Sequence, residues 1–237
     1  MSFVQGLLTG EYTTDHILTD LSLGTGAPKT VTAGNSIAVW VTRWGGFNLG
    51  YPFWCYDNLS NSYTTAFEYY GVGGSDKIHA ALFYANNING GTLNNIGIGF
   101  AGIGSVAYHV SGCSAEFTDA LTYNTYTMDR SNPSQVTTFS TPPVTLANSL
   151  IFYGASVGGD GENGGGTGFV QPSGFSIASS RLVAGAAPSP FLCYKYGSLS
   201  ATVLTSSWTG ARYFADIRGS AVSWFPPTTS MYLVLDE

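Results

Sequence analysis

The stretch that decides the fold class is residues 31–46, which read VTAGNSIAVWVTRWGG. Ile37, Val39 and Val41 take every second position there. Successive side chains of a β-strand point to opposite faces, so a period of two in β-branched and aromatic residues is typical of a strand. The pattern predicts a β-strand here, and similar stretches recur along the chain.

Ten further stretches show the same preference, and Gly, Pro, Asn and Ser turn signals separate many of them. We predict strands over 63–70, 78–85, 95–101, 105–110, 136–140, 150–157, 176–183, 191–196, 201–206 and 221–225. No amphipathic helix longer than two turns is visible. The expected fold is therefore all-β, an antiparallel β-sandwich that is jelly-roll-like, with an immunoglobulin-like sandwich as the alternative.

The domain organisation is predicted from two features. Residues 1–27 have weak periodicity and are interpreted as an N-terminal arm or an edge strand, so we predict an arm at 1–27 and a single β-sandwich domain at 28–237. Residues 144–159 (VTLANSLIFYGASVGG) match residues 31–46 at six of sixteen positions without a gap. This similarity fits either equivalent strands in one sandwich or a duplication of two related halves.

Charge and composition exclude several function classes. Charged residues are 9% of the 237 residues, where about 25% is usual. With 44% hydrophobic and 14% aromatic residues the chain is not disordered. A net charge of -6 with eight scattered basic residues excludes a nucleic-acid partner. The longest apolar run, 96–110, is too short and too rich in glycine to span a membrane, and residues 1–10 contain no secretory signal.

Metal and thiol chemistry have few candidates. Cys55, Cys113 and Cys193 lie far apart without a CxxC motif, so we expect free thiols, a reducing cytosol and no cofactor. His109 and Cys113 would lie about 13 Å apart in a strand, too far to share a metal. Asp160 and Glu162 in the glycine-rich segment 158–166 are a weak calcium candidate, and a solvent-exposed loop is the other interpretation.

Enzymatic chemistry is not expected. Asp57, Glu68, Glu116 and Asp119 are the interior acids that could form the carboxylate pair of a glycosidase, but their spacing brings no two together. The sequence has no GxSxG elbow, no phosphate-binding loop and no HExxH motif. We therefore predict no catalytic residues.

An aromatic cluster surrounded by glycines is the candidate ligand-binding site. Trp44, Tyr51 and Trp54 are its candidate members, since aromatic rings with polar tips suit both sugar and protein partners. The other interpretation is that Trp40 lies in the core and the remaining aromatics pack a long loop onto the sandwich.

Two further features are candidates for an interface between copies. In IGIGF, residues 96–100, Gly97 and Gly99 leave one strand face bare, which favours close packing between sheets of one chain or contact with another subunit. The apolar residues Phe3, Leu7 and Leu8 of the predicted arm could dock on a neighbouring copy.

Several motifs together resemble a known module. They are AGNSIAVWVTRW at 33–44, DNLSNSYT at 57–64, LFYANNI at 82–88 followed by GGT at 90–92, and VAYHVSG at 106–112. The set resembles a β-sandwich module of bacteriophage and environmental virion proteins, over about 33–112 and more weakly over 148–225. Ser60 departs from the glycine usual in that turn, and Val110 separates the tyrosine strand from Ser111 and Gly112.

The resemblance implies a jelly-roll-like or immunoglobulin-like sandwich in a virion decoration, head-fibre or tail-fibre protein, with no catalytic residues. We expect a non-enzymatic capsid decoration (cement) or head-fibre subunit that is made in the host cytoplasm and located in the virion. Its expected partners are its own copies, as a trimer, and the major capsid or another virion protein. The alternative is a lectin-like tail-fibre module that binds a host-surface glycan through Trp44, Tyr51 and Trp54.

Overall fold

The computed structural model describes residues 2–12, 20–24, 26–44, 53–70, 78–100, 109–118, 122–128, 136–140, 143–157, 168–183, 189–212 and 220–225. These residues form seventeen β-strands and no helix. In the described ranges, accordingly, no helix is long and apolar enough to cross a membrane. The predicted all-β class is confirmed.

Ten of the described strands lie in the first half of the chain. They are β1 (Phe3–Tyr12), β2 (Asp20–Leu23), β3 (Lys29–Val31), β4 (Ser36–Trp44), β5 (Phe53–Asp57), β6 (Thr64–Tyr70), β7 (Ile78–Ala85), β8 (Gly91–Leu93), β9 (Ile96–Phe100) and β10 (His109–Phe117). Five form the first central sheet, in the order β1, β10, β4, β7, β6. The first outer sheet has the order β2, β9, β5, and β3 pairs with β8. Every pairing is antiparallel.

The other seven described strands lie in the second half. They are β11 (Thr122–Met128), β12 (Val136–Ser140), β13 (Val144–Val157), β14 (Ser176–Ser180), β15 (Ser189–Thr202), β16 (Thr205–Arg212) and β17 (Ser220–Phe225). The second central sheet has the order β11, β17, β13, β15, β14. β12 and β16 form the second outer sheet, and Val170 bridges to Ser207 of β16.

The two halves are wound in the same way. In each central sheet the first strand of the half pairs with the last, the last pairs with the middle strand (β4 or β13), and two consecutive strands complete the sheet. The short pair β3 and β8 continues the pairing of β4 with β7 in the same register. The second half has one long pair, β13 and β15, in the place of these two pairs. Counted this way the described strands of the first half number eight, and all but β6 take jelly-roll positions, because β6 pairs with β7 in the central sheet and not with β5. The winding is in this sense jelly-roll-like, as predicted.

The similar segments 31–46 and 144–159 occupy equivalent positions in the two halves, but not in the ungapped register. Trp40 pairs with Leu82, and Gly154 pairs with Leu192. In both sheets a bulge of the neighbouring edge strand lies just beside that pair. The ungapped alignment would match Trp40 with Tyr153, one residue before Gly154. A bulge in β13 adds the extra residue. Without it, the matched side chains would point to opposite faces of the two sheets.

Three cores separate the four layers. The first core lies between the first outer and central sheets and includes Val39, Phe83 and Ile98. The middle core lies between the two central sheets and includes Trp40, Phe117 and Phe152. The third core covers the far face of the second central sheet, with Tyr153, Phe191, Cys193, Leu199 and Trp208 among its members.

The N-terminal segment belongs to the first central sheet. Phe3–Tyr12 is the edge strand beside β10, so the edge-strand interpretation describes this part of 1–27. A bulge after Gly6 lets both Leu7 and Leu8 enter the first core, and Phe3 stacks on Tyr194 with ring centroids 5.0 Å apart. All three candidate docking residues thus pack inside their own chain. The division at residue 27 stays a prediction.

Several predicted strand bounds need correction. β13 begins at Val144, before the predicted 150, and β15 covers Ser189–Thr202, beyond the predicted 191–196. β10 continues to Phe117 through small residues that gave no strand signal. The predicted strand 201–206 is wrong, because β15 ends at Thr202 and β16 begins at Thr205. The turn between them contains Val203 and Leu204, whose apolar side chains resemble a strand. Trp54 was predicted to lie in a loop, but it belongs to β5.

Candidate functional site

The candidate site is the solvent face of the first outer sheet. Along β5, Phe53 is buried and Cys55 is packed on the first core, whereas Trp54 and Tyr56 point outward. Trp54 is 47% exposed and Tyr56 39%. The pleat therefore places two large aromatic rings side by side at the surface.

These two rings lie over the glycines of the neighbouring strand β9. Trp54 pairs with Gly99 and Tyr56 with Gly97. A Cβ atom built on Gly99 would overlap the Trp54 ring, and one on Gly97 would overlap the Tyr56 ring. The space that the glycines leave is therefore filled by rings of the same chain, and the surface offered to a partner is aromatic. We name Trp54, Tyr56, Gly97 and Gly99 the aromatic platform.

The structure combines two separate predictions in this platform. Trp54 was a candidate ligand-binding residue, and the two glycines were candidates for an interface. Tyr51 lies outside the described residues, and Trp44 ends β4 without a described side chain. Sequence reasoning missed Tyr56, although its spacing of two from Trp54 matches the spacing of the two glycines.

The border of the platform is polar. Ser22 of β2 pairs with Gly97 from the other side, and its hydroxyl donates to Asn95 Oδ1 at 2.5 Å. Asp20 of β2 pairs with Gly99 in the same way, so an acidic residue stands in register with the platform.

The turn that follows β5 is organised by the buried carboxylate of Asp57. Its Oδ1 accepts the backbone N–H of Leu59 at 2.9 Å and of Asn61 at 3.1 Å. Its Oδ2 accepts the Asn61 amide at 2.8 Å and the Tyr63 hydroxyl at 2.9 Å. With both oxygens occupied by donors, Asp57 holds the turn and is not free to coordinate a cation.

Asparagines tie this turn to the segment before β9. Asn58 Oδ1 accepts the backbone N–H groups of Asn94 and Asn95, and its amide donates to the Thr92 carbonyl at 2.9 Å. Asn61 Oδ1 accepts the N–H of Asn89 at 2.7 Å. We call this network of Asp57, Asn58 and Asn61 the turn clasp. It fixes β5 against β9 and so holds the platform rings over their glycines.

The turn clasp lies within one of the motifs on which the predicted resemblance rests. Asp57, Asn58 and Asn61 belong to DNLSNSYT, and Asn58 donates to Thr92 of GGT. Ser60, which stands where the similar modules have glycine, has a φ of 60°. That is the left-handed region, where glycine is favoured.

The other predicted acid candidates are also engaged with the fold. Glu116 is fully buried and accepts from the Thr32 N–H at 2.8 Å, the Asn35 amide at 2.7 Å and the Gln5 amide at 2.7 Å. Glu68 accepts the Phe53 N–H at 2.7 Å. Asp119 lies outside the described residues.

The three cysteines are free thiols, as predicted. Burial raises the pKa of Cys193 to about 12 and that of Cys113 further. Burial, and then the charge of Asp57, also raises the pKa of Cys55 well above its usual value. At neutral pH all three stay protonated, which is the less nucleophilic form.

Metal candidates are sparse in the part of the chain that the structure describes. It contains no group of three or more His, Cys, Asp or Glu residues able to hold a metal ion. The calcium candidates Asp160 and Glu162 lie outside the described residues.

The described surface carries little charge. Eight charged residues have a described exposure; Arg43, Asp57 and Glu116 are buried and the other five are half-buried, so none is fully exposed. Large apolar side chains are exposed instead. Besides the platform rings they are Val4, Val170, Ile177, Leu182, Tyr196 and Val203.

Comparisons with protein-family models, with curated proteins and with solved structures each find no significant match to this chain.

Proposed function

We propose that this protein is a non-enzymatic structural subunit of a bacteriophage virion, a capsid decoration or head-fibre protein that binds the shell and its own copies. The observation that carries the proposal is the described surface, where large apolar side chains are exposed and no charged side chain is fully exposed. Such a surface suits a subunit whose faces are covered in an assembly.

The energetics favour covering this surface. Burying apolar area contributes about 25 cal/mol per Å². Charged groups would oppose that gain, because each must be desolvated or paired. Leu182 is 61% exposed, Val170 56% and Val203 50%, all in the second half of the chain. A soluble monomer would normally present charges at such positions.

The fold supports the same proposal. Jelly rolls are common in viral capsid proteins and also in lectins, so the winding alone does not decide the function. The turn clasp adds the residues that resemble virion modules. The described acids Asp57, Glu68 and Glu116 accept hydrogen bonds that hold the fold, which fits a structural role.

The test is the state of assembly. We expect light scattering coupled to size-exclusion chromatography to show a homo-oligomer, most simply a trimer, and the protein to co-sediment with purified particles of the phage that encodes it. A monodisperse monomer that does not sediment with those particles would contradict the proposal.

Single substitutions locate the contact. Val170→Ser, Leu182→Ser and Val203→Ser each remove an exposed apolar side chain without disturbing a core. We expect at least one of them to lower the assembled fraction at a fixed protein concentration. Thr205→Ser, at an exposed position that is already polar, is the matched control and should leave the assembled fraction unchanged.

A further inference from the structure

We propose that the aromatic platform is a binding site for a neutral, β-1,4-linked oligosaccharide of equatorially substituted pyranoses. The site is separate from the exposed apolar residues assigned to assembly, and the proposal does not depend on that assignment. Glycan binding would use a face of the molecule to which the structural role assigns no contact.

The first argument is the shape of the platform. Each ring takes up the volume that a glycine Cβ would fill, so both rings lie close against the same sheet face. Because Trp54 and Tyr56 are two residues apart on a strand, they are separated by about 7 Å along it. The result is a flat, apolar strip that is already formed before a ligand binds, which lowers the entropic cost of binding.

The second argument is size. An aromatic side chain buries roughly 150–250 Å², so two rings that are less than half exposed offer only about 200 Å². A specific protein interface needs about 800 Å² from each partner. The platform by itself is therefore too small to form a contact between copies, and it has the width of one sugar chain.

The third argument is chemistry. Asp20 stands in register with Gly99 of the platform, and the described strands of the first outer sheet contain no basic residue. An acidic position without a cation disfavours a phosphate or a sulfate and favours a neutral ligand. A pyranose with equatorial hydroxyls has an apolar C–H face that stacks on an aromatic ring, and hydroxyls at its rim. Ser22, which is hydrogen-bonded to Asn95, lies at the border of the platform to meet such hydroxyls. A β-1,4-linked chain is an extended ribbon and can contact two rings that lie against one sheet face, whereas an α-1,4-linked chain is curved.

The experiment is isothermal titration of the full-length protein with cellohexaose and chitohexaose, and with maltohexaose as the curved comparison. We expect at least one β-1,4-linked hexamer to bind, with at least about tenfold higher affinity than maltohexaose. Trp54→Ala and Tyr56→Ala should each weaken binding by about tenfold, the loss typical of one stacked aromatic contact. Tyr196→Ala, at a tyrosine that is 41% exposed on another sheet, is the matched control and should bind as the native protein does.

Two further variants keep the test decisive if an alanine variant unfolds. Trp54→Phe retains a ring and should lose less affinity than Trp54→Ala. Gly99→Ala retains Trp54 but moves its ring, and should weaken binding while circular dichroism shows an intact fold.

The proposal is overturned if neither β-1,4-linked hexamer binds at millimolar concentration, or if folded Trp54 and Tyr56 variants bind as the native protein does. It is also overturned if Trp54→Ala only converts an oligomer to a monomer, which would make the platform a contact between copies.

Discussion

At the scale of single residues, the buried acids act as acceptors for the backbone. Glu116 joins three segments, because its donors come from Gln5 on β1, from Thr32 after β3 and from Asn35 before β4. A buried carboxylate is tolerated only where donors replace the lost water. Glu116 was one of the acids that could have formed the carboxylate pair of a glycosidase. In the structure it holds three segments of the fold together.

Glu116→Gln tests this role. The amide keeps the size of the side chain but turns an N–H toward existing donors, so we expect the free energy of unfolding in urea to fall by about 3 kcal/mol. Glu11→Gln is the control, since Glu11 pairs with Arg181 at 2.8 Å where both side chains are only about three-quarters buried. Its cost should stay below about 1 kcal/mol. Equal losses in the two variants would contradict the assignment.

Ser60 provides a prediction of opposite sign. A serine in the left-handed region raises the free energy of the folded state by about 1–2 kcal/mol. Glycine removes that strain, but its greater freedom in the unfolded chain offsets roughly 0.5–1 kcal/mol of the gain. Ser60→Gly should therefore stabilise the protein by about 0.5–1 kcal/mol, measured as a higher urea midpoint. Ser62→Gly, in the same turn with an ordinary negative φ, should destabilise it. A lower midpoint for Ser60→Gly would show that the serine side chain stabilises the turn.

At the scale of elements, the two central sheets are matched where β4 faces β13. The ring of Trp40 lies over Gly154, where a Cβ would overlap it, and its indole N–H donates to Ser156 Oγ at 2.9 Å. Trp40 and Gly154 occupy equivalent positions in the two central sheets. One has the largest side chain and the other has none. The edges also meet, because a Cβ on Gly6 of β1 would lie 2.7 Å from the Ala178 carbonyl oxygen of β14.

The pair Trp40 and Gly154 predicts a measurable coupling. Gly154→Ala should lower the free energy of unfolding by about 2 kcal/mol, because the added methyl group overpacks the middle core. In a Trp40→Phe background the same change should cost about 1 kcal/mol less, since the smaller ring leaves room for the methyl group. Additive losses in the double-mutant cycle would mean that the two residues do not constrain each other.

Strand prediction succeeded where β-branched and aromatic residues recur at every second position of the strand itself. It failed where pairing with a neighbouring strand is what makes a segment a strand. β4 and β7 carry apolar residues on both faces because both faces are covered. β1 contains Gly6 and Gly10 and a bulge, so its apolar residues do not alternate. β5 has only five residues inside an aromatic cluster, and pairing with β9 is what makes it a strand.

At the scale of the whole molecule, the middle core joins the two halves. Phe117 of β10 contacts Phe152 of β13 edge to face at 4.9 Å, and Phe3 stacks on Tyr194. Neither central sheet can expose this face without losing apolar burial. The two halves therefore depend on each other for stability.

We expect this dependence to make unfolding a single cooperative transition. Calorimetric and van't Hoff enthalpies should agree, and fluorescence and circular dichroism should report the same midpoint. Trp40→Ala, which opens the middle core, should lower the stability of both halves together. Two separate transitions in the native protein would show that the halves unfold independently.

The sequence by itself determined the β class, the free thiols and most strands of the central sheets, because these follow from local alternation and composition. The strand order that distinguishes a jelly roll from an immunoglobulin-like sandwich does not follow from them. Only the tertiary structure decided that the winding occurs twice, that Phe3, Leu7 and Leu8 pack inside the chain, and that Trp54 and Tyr56 cover Gly99 and Gly97. Each of these depends on which strands pair and in what register. Pairing joins residues far apart in the chain, and a shift of one residue reverses the face of every side chain.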